Sequence, residues 1–346
     1  MSAIHHVPPS VLREWAATAL MAAGVPADSA ALTARMLVQT SLWGIDSHGV
    51  ARLTHYLNRI THGSITVRPR LGFKRTAAGT GQVDGDHGLG FVVCEFAMRH
   101  AVELAREAGV GAVGVANSSH CGAIGLYTRQ ATESGMIGIG FTHSDSFVTP
   151  HGGTKAFFGT NPISIALPGT DPARPFCVDM ATSIVPWNRI MNARREGVPV
   201  APGLGVDAEG RDTTDAAQIV AVKPMAEHKG YALAFAIDML CGPLNGMAYG
   251  PHLTKMYDQL DQPRRLGSFF LAIDPARFAG GALLAGVLMA AVRDVKAQKE
   301  GVQSPGEPEY QTAAVRAHTG IPIEAGLWEE FTRWSDRLRI AAPVAV

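Results

Sequence analysis

Residues 91–116 read FVVCEFAMRHAVELAREAGVGAVGVA, and the order of elements in this segment constrains the fold of the whole chain. Residues 91–108 carry apolar side chains at helical spacing, whereas residues 112–116 are a short apolar run typical of a buried strand. Between them, residues 109–114, GVGAVG, match the pattern G-x-G-x-x-G. In a dinucleotide-binding turn a strand precedes these glycines and a helix follows, so that the pyrophosphate meets a helix N-terminus. Because the order here is reversed, we interpret the glycines as a helix end followed by a strand, and a dinucleotide site would have to be built without a Rossmann turn.

Short apolar runs fill the middle of the chain, and helical patterns lie at both ends. Expected strands lie at 73–83, 112–116, 137–142, 164–167, 176–180 and 267–273, and expected helices at 10–22, 28–42, 49–62, 91–108, 229–241, 280–300 and 327–339. The pattern predicts an α/β subunit whose terminal helices pack together around a sheet-rich middle. We expect an N-terminal helical segment over 1–75, a sheet-rich core over 76–300, and a C-terminal loop and helix over 301–346 that pack back on the N-terminal helices.

The composition limits the possible partners. The chain has 346 residues, of which 47% are hydrophobic and 17% charged, against about 25% charged in typical domains. So few charges favour an apolar subunit interface, hence a homodimer or larger homo-oligomer. The formal net charge is zero, which makes nucleic acid a poor candidate partner.

Membrane insertion and a disulfide framework are also not expected. The longest apolar run, 278–292, has 15 residues, whereas a span takes about 18–20. The four cysteines form no C-x-x-C pair, which argues against both a disulfide framework and a cysteine zinc site. With no signal-peptide pattern, the sequence predicts a cytoplasmic protein.

Residues 44–56, GIDSHGVARLTHY, hold the most informative polar side chains. On a helix that begins near residue 49, with Ser47 near its N-cap, His48, Arg52 and Tyr56 would share a face at positions i, i+4 and i+8. A histidine exchanges protons near neutral pH, and an arginine binds a carboxylate through two parallel hydrogen bonds. On spacing alone, a solvated polar face explains the pattern equally well.

Two other chemistries are disfavoured at this helix. His48, His55 and His62 recur every seven residues. That spacing separates neighbours by about 10 Å along a helix, too far for one metal ion, so we predict no metal site. A Ser–His hydrolase is disfavoured because no G-x-S-x-G elbow lies near Ser47.

Three further segments hold candidate ligand contacts. His120 follows the strand at 112–116 and is a second candidate imidazole, although a plain loop histidine explains it equally well. Lys229 begins an apolar helix, where its charge opposes the helix dipole unless an anion is present. Because only seven residues of the chain are lysines, we favour a ligand role for it. Residues 303–307, QSPGE, form either a loop that presents amides to a phosphate or a plain surface loop.

Seven motifs follow one another along nearly the whole chain. They are DSHGVARLTHY at 46–56, SHCGAIG at 119–125, FGTNP at 158–162, DMATS at 179–183, HKGY at 228–231, LGSFFLAIDP at 266–275 and PGE at 305–307. In this order they resemble the malate/L-lactate dehydrogenase family, which lacks a Rossmann fold. The family includes L-sulfolactate and ureidoglycolate dehydrogenases and the Δ1-piperideine/pyrroline-2-carboxylate reductases.

The resemblance implies both a fold and a reaction. The fold is α/β, with a non-Rossmann, mixed-sheet nucleotide-binding core like that of L-sulfolactate dehydrogenase and helices contributed by both chain termini. The reaction is an NAD- or NADP-dependent hydride transfer to or from C2 of a small 2-hydroxy or 2-keto acid such as malate, lactate or ureidoglycolate. The family's members are dimers with the site near the interface.

The resemblance also implies roles for individual residues. The catalytic residues are His48, Ser47 and His120, and the substrate contacts are Arg52, Tyr56 and Thr160. The cofactor contacts are His120, Cys121, Gly122, Ala123, Ile124, Asp179, Met180, Ala181, Lys229, Gly230, Pro305, Gly306 and Glu307. His48 resembles the family's acid/base, but in the ureidoglycolate branch the histidine that matches His120 takes that role.

One departure distinguishes the branches. The family's cyclic-imine reductases carry an aspartate that completes a Ser–His–Asp relay, and Asn188 stands at that place here. Residues 187–194 and 256–275 are also more similar to the ureidoglycolate branch, to which the resemblance leans. A reductase of 2-imino acids such as Δ1-piperideine- or pyrroline-2-carboxylate stays the alternative, and a catalytically silent nucleotide-binding protein is the third hypothesis.

Overall fold

The structure, a computed structural model, describes residues 4–345. Its helices are α1 Pro9–Ala22, α2 Ala27–Leu42, α3 Leu53–Thr61, α4 Gly90–Ala108, α5 Gly125–Glu133, α6 Trp187–Glu196, α7 His228–Cys241, α8 Gly281–Lys296, α9 Glu307–Thr319 and α10 Ala325–Leu338. Its strands are β1 Ile4–Val7, β2 Gly72–Ala77, β3 Thr80–Asp84, β4 Val110–Ser118, β5 Ile137–Thr142, β6 Ile163–Leu167, β7 Phe176–Met180, β8 Gly205–Val206, β9 Ala221–Val222, β10 Leu266–Ile273 and β11 Ile321–Glu324.

A mixed sheet of seven strands forms the centre, in the order β2-β3-β4-β10-β5-β6-β7. β3 and β4 run parallel and are connected by α4, whereas every other neighbouring pair in this sheet is antiparallel. β10 comes from far along the sequence and lies between β4 and β5, where Phe270 pairs with Val113 on one side and Gly140 on the other. The predicted non-Rossmann mixed sheet is confirmed, because a Rossmann sheet is mostly parallel.

The G-x-G-x-x-G segment joins α4 to β4, as its order predicts. Gly109 ends α4 in the left-handed conformation, with φ +84°. A Cβ at Gly111 would overlap the carbonyl oxygen of Ala101 in α4, and one at Gly114 would overlap the side-chain amide of Asn245. The three glycines therefore serve a helix end and close packing of the chain.

The two ends of the chain pack together. β1 pairs antiparallel with β11, and the indole N–H of Trp15 in α1 donates a hydrogen bond to Ser335 Oγ in α10 at 2.9 Å. The N-terminal helices share one apolar core with α4 and the central sheet, and the expected boundary between residues 75 and 76 falls within β2. The three-part domain division stays a prediction.

Helix α8 holds most of the longest apolar run, and it lies on the surface of the subunit. None of its residues is buried, and Leu283 and Val287 are 57% and 58% exposed. In the part of the chain that the structure describes, no helix has both the length and the apolar character needed to cross a membrane.

Candidate active site

The backbone around His48 differs from the predicted helix start. Two 3-10 turns, Asp46–His48 and Val50–Arg52, precede α3, which begins at residue 53 rather than near 49. The cause is Gly49, which packs directly against Ser41, while the Ser41 hydroxyl accepts a hydrogen bond from the next backbone N–H, at residue 50. The predicted helix over 49–62 is wrong at its start, and the N-cap position of α3 is taken by Arg52.

These turns form one wall of a cavity of about 240 Å³, which both His48 and Arg52 line. Ser47, expected at a helix N-cap, is instead hydrogen-bonded to His48, with 2.8 Å between Ser47 Oγ and His48 Nδ1. Arg52 is fixed at two atoms, because its Nε donates to the Ser47 carbonyl at 2.6 Å and its Nη1 to the Tyr257 hydroxyl at 2.9 Å. Within residues 4–345, Arg52 Nη2 has no hydrogen-bond partner, so the guanidinium keeps an edge for a carboxylate.

A second imidazole faces the first. His120, in the loop between β4 and α5, lies with its ring centroid 5.6 Å from that of His48. Tyr56 does not line the cavity; its hydroxyl lies 2.6 Å from His120 Nδ1, and its side chain is fully buried. The structure therefore places Tyr56 behind His120, and its contact with a substrate stays a prediction.

The cavity brings together most of the other residues that the resemblance singled out. Besides His120, it is lined by Gly122, Ala123, Ile124, Thr160, Asp179, Met180 and Ala181. Cys121 is buried behind this wall, and its carbonyl accepts a hydrogen bond from the Tyr127 hydroxyl at 2.5 Å.

The remaining expected cofactor contacts lie outside this cavity. Lys229 is exposed in the first turn of α7, and Gly230 beside it is buried against Met225. Pro305 and Glu307 line a separate cavity of about 450 Å³ beside Phe176, at the start of β7. Gly306 lies against the same stretch of backbone, at the N-cap of α9. β7 connects the two cavities, because its other end, at Asp179 and Met180, lines the first.

The active-site cavity has further lining residues for which the sequence predicted no contact. They are Ile45, Ser144, Asp145, Phe147, Pro162, Pro186, Trp187, Met256 and Tyr257, and also Asn188, which was considered only as a relay residue. Asp145 is buried, and its carboxylate forms an ion pair with Arg264, whose Nη2 donates to Oδ1 at 2.7 Å. Met256 N donates to its Oδ2 at 3.0 Å. Ser144 and Asp145 could have been predicted as cavity residues, because they are polar and come shortly after the end of β5. The apolar lining residues belong to no motif that would have marked them.

Residues 255–262, which we call the strap, close one side of the cavity and carry Met256 and Tyr257 into it. Arg59 of α3 is buried and holds the strap. Its Nη2 donates to the carbonyls of Met256 at 2.8 Å and Lys255 at 2.9 Å, and its Nη1 to that of Gln262 at 3.0 Å.

Burial and positive charge keep both imidazoles neutral. Desolvation, with a smaller contribution from Arg52, lowers the pKa of His48 from its ordinary 6.5 to about 4. Desolvation, followed by the charges of His48 and Arg52, holds the pKa of His120 well below its ordinary range. On the cofactor side, burial raises the pKa of Asp179 to about 6, although the Gly125 N–H donates to this carboxylate at 2.8 Å. At pH 7 the cavity therefore holds two uncharged imidazoles beside one guanidinium.

The lining suits a nicotinamide ring. Met180, Pro186 and Trp187 contribute apolar lining, and Asp179 supplies an acceptor for a hydroxyl or amide donor. Over residues 4–345, no group of three His, Cys, Asp or Glu side chains is arranged to hold a metal ion.

Comparisons with known proteins identify the family. Residues 7–332 match the family described as malate/L-lactate dehydrogenase. The chain belongs to the malate/L-lactate dehydrogenase family.

Relatives of this family member differ in substrate and cofactor. The chain is 34% identical to the ureidoglycolate dehydrogenase (NAD(+)) of Escherichia coli K12 over 316 residues, which cover 90% of each chain. It is 32% identical to the (2R)-3-sulfolactate dehydrogenase (NADP(+)) of Chromohalobacter salexigens over 313 residues, 89% of this chain and 91% of that one. The structure of malate dehydrogenase from Pyrococcus horikoshii OT3 superimposes with a TM-score of 0.89 at 30% identity, covering 99% of this chain and 98% of that one.

Membership confirms the resemblance drawn from the seven motifs. It identifies this member of the malate/L-lactate dehydrogenase family as an oxidoreductase that uses NAD or NADP. The hypothesis of a catalytically silent nucleotide-binding protein loses its support, since the family is one of dehydrogenases.

Proposed function

We propose that this dehydrogenase interconverts a small 2-hydroxy acid and its 2-oxo acid, with the substrate carboxylate on Arg52 and the C2 oxygen between His48 and His120. One observation carries the proposal: a guanidinium with a free edge and two neutral imidazoles 5.6 Å apart line one cavity. The bound nicotinamide supplies the hydride acceptor or donor. The residues of this chain fix the carboxylate, bind the oxygen and move its proton.

The path for the rest of the dinucleotide is proposed along β7. This strand is the edge of the central sheet, and Asp179 near its end lines the active-site cavity. At its start, Cys177 N donates to the Pro305 carbonyl at 3.4 Å, which joins the strand to the 305–307 loop. Two strand residues span about 7 Å, so a dinucleotide in extended form reaches from one cavity to the other. Lys229 stays a proposed contact of the nucleotide.

The substrate side chain is proposed to be uncharged. Among the lining residues within 4–345, Arg52 is the one cation, whereas Phe147, Trp187 and Met256 present apolar surface. A second carboxylate or a sulfonate would be desolvated beside Asp145 without a cation of its own, which costs free energy. A ureido, alkyl or aryl group meets no such penalty.

A panel of 2-oxo acids and one cyclic imine tests both the proposed reaction and the proposed uncharged side chain of the substrate. Pyruvate, 4-methyl-2-oxopentanoate, phenylpyruvate, oxalurate, oxaloacetate, sulfopyruvate and Δ1-piperideine-2-carboxylate are each reduced with NADH and with NADPH, and the loss of nicotinamide absorbance is followed. We expect kcat/KM for the best uncharged side chain to exceed that for oxaloacetate by about tenfold or more, the scale of one unpaired polar group. A preference for oxaloacetate or sulfopyruvate contradicts the proposed side chain. A preference for the cyclic imine supports the alternative reductase, for which Asn188 takes the place of the relay aspartate.

We also propose a homodimer and a cytoplasmic location. The exposed apolar face of α8, with Leu283 and Val287, suits a second copy of the chain because so large an apolar surface is unfavourable in water. Light scattering at micromolar concentration should give a dimer or larger for the native chain and a monomer for Leu283→Asp/Val287→Asp; a native monomer contradicts the proposal. The four cysteines are buried and unpaired, which suits a reducing compartment.

A further inference from the structure

The two imidazoles of the cavity differ in what their second ring nitrogens face. His120 Nδ1 receives two groups: the Tyr56 hydroxyl at 2.6 Å and the backbone N–H of Gly122 at 3.3 Å. A backbone N–H can only donate, so at least one donor points at Nδ1. Within the described residues, Tyr56 Oη has no other hydrogen-bond partner. Its proton therefore also goes to Nδ1.

Two converging donors fix the tautomer of His120. A neutral imidazole carries one proton, and a nitrogen that accepts hydrogen bonds does not hold it. The proton of His120 is therefore on Nε2. Tyr56 is suited to this task, because burial raises the pKa of its phenol above the ordinary range and keeps the phenol a donor.

His48 is not constrained in this way. Its Nδ1 faces the Ser47 hydroxyl at 2.8 Å, and a hydroxyl both donates and accepts. When Ser47 accepts the Nδ1 proton, Nε2 of His48 has a free lone pair; when Ser47 donates, Nε2 carries the proton. His48 can therefore switch between a proton acceptor and a proton donor without breaking its contact with Ser47.

We propose that His120, held in the Nε2–H form by Tyr56 and Gly122, is a neutral hydrogen-bond donor to the C2 oxygen, and that His48 alone exchanges the proton. This inference rests on the proposed function. In the oxidative direction the C2–H bond breaks, and its electron pair leaves as hydride to the oxidised nicotinamide. The O–H bond breaks as well; its proton goes to Nε2 of His48, and its electron pair becomes the second C–O bond. Nε2–H of His120 stays on the same oxygen throughout, and Tyr56 is a positioning residue.

The tautomer of His120 can be measured from 15N chemical shifts, without substrate or turnover. In protein labelled with 15N-histidine, protonated and unprotonated ring nitrogens have widely separated shifts. The chain carries its own reference of opposite form: Gly267 N donates to His143 Nε2 at 2.9 Å, and His143 Nδ1 donates to Asp238 Oδ1 at 3.0 Å. We expect Nε2–H for His120 and Nδ1–H for His143, with His120 assigned by its loss in His120→Gln. In Tyr56→Phe the longer Gly122 N–H contact, at 3.3 Å, is the donor that remains at Nδ1, so the Nε2–H form of His120 should lose population to the Nδ1–H form. A native His120 with its proton on Nδ1 overturns the proposal.

Turnover separates the two roles. A glutamine at position 120 places an amide N–H near the position of Nε2 but cannot exchange a proton. We expect His120→Ala to lower kcat about 10²- to 10³-fold, the scale of one lost donor to a reacting oxygen. His120→Gln should recover at least about tenfold of this loss. His48→Gln should stay about 10²- to 10⁴-fold down, the scale of a lost proton carrier.

The reverse result, with His120→Gln no better than His120→Ala and His48→Gln largely active, overturns the assignment. If the native protein reduces no member of the keto acid and imine panel, the proposed function fails, and the spectra still decide the tautomer. If the protein is active and both glutamine variants keep native turnover, the acid/base site lies elsewhere.

Discussion

Arg59 gives the sharpest test of how the active site is closed. Three carbonyls of the strap accept hydrogen bonds of 2.8 to 3.0 Å from its buried guanidinium. Arg59→Met keeps the length of the side chain and its apolar stem but removes every donor. We expect this variant to open the strap and to withdraw Met256 and Tyr257 from the cavity.

The magnitude follows from these three bonds. A hydrogen bond with one charged partner contributes roughly 1.5–3 kcal/mol net of water, so three at the lower figure come to about 4.5 kcal/mol. That free energy changes the ratio of closed to open strap about 10³-fold. Because kcat/KM scales with the closed fraction, we expect a fall of about 10- to 10³-fold. The smaller value applies if the remaining contacts, such as Met256 N with Asp145 at 3.0 Å, already hold the strap strongly closed.

Two measurements check this expectation. Steady-state kinetics give kcat/KM for the best panel substrate, and limited trypsin digestion gives the rate of cleavage after Lys255, whose carbonyl Arg59 holds. Both should change in Arg59→Met and change less in Arg59→Lys, which keeps one donor group. Arg13→Met, at an exposed arginine of α1, is the matched control. Native values of both quantities in Arg59→Met, with the protein folded, would refute the role of Arg59 as the clamp of the strap.

Three further predictions concern Arg52, Lys229 and His48. Arg52→Lys should lower kcat/KM about 10- to 100-fold, because a lysine cannot reproduce the second parallel hydrogen bond to a carboxylate, and a wild-type KM in this variant contradicts the clamp. Lys229→Ala should raise the cofactor dissociation constant about tenfold or more by titration calorimetry, since a charge-assisted contact contributes roughly 1.5–3 kcal/mol; an unchanged constant removes Lys229 from the site. His48 has a native pKa of about 4 against about 6.5 unfolded, so the unfolded state binds more protons and stability is lost as the pH is lowered from about 6.5 to about 4. The free energy of unfolding in urea should drop by about 3 kcal/mol more between pH 7 and pH 4 in the native chain than in His48→Gln. His62→Gln, at an exposed histidine of the same segment, is the matched control.

The central fold was predictable because its signals are local. A glycine in the left-handed conformation ends α4 at Gly109, and the small apolar run that follows is β4. The order helix–glycines–strand was therefore readable, and with it the exclusion of a Rossmann turn. The insertion of β10 between β4 and β5 was not, since strand order is set by contacts between residues more than a hundred positions apart.

The start of α3 was mispredicted for an equally physical reason. Helical spacing of His48, Arg52 and Tyr56 assumes one continuous helix, and spacing contains no information about what lies beside Gly49. Ser41 of α2 lies against that glycine and takes the next backbone N–H, which favours two 3-10 turns instead. His48 and Arg52, which precede α3, still line the cavity, whereas Tyr56, inside the helix, does not.

The apolar lining of the cavity could not be predicted from the sequence, for a different reason. Phe147 and Met256 come from two loops and Trp187 from the first turn of α6, and each looks like an ordinary core residue in the sequence. Arg59 gave no signal either, because its shortest hydrogen bonds go to backbone carbonyls, which every residue has.

The role of a histidine depends on a contact that sequence patterns do not contain. His48 and His120 have the same side chain, line the same cavity and are both neutral at pH 7. What distinguishes them is the group at Nδ1: a hydroxyl that can both donate and accept at His48, and two donors at His120. The Tyr56 donor comes from 64 positions away in the chain, so neither motif alone could decide which imidazole moves the proton. Replacing Tyr56 by phenylalanine removes the shorter of the two donor contacts at His120 Nδ1 while leaving both imidazoles in place, and the tautomer of His120 should respond even when no substrate is bound.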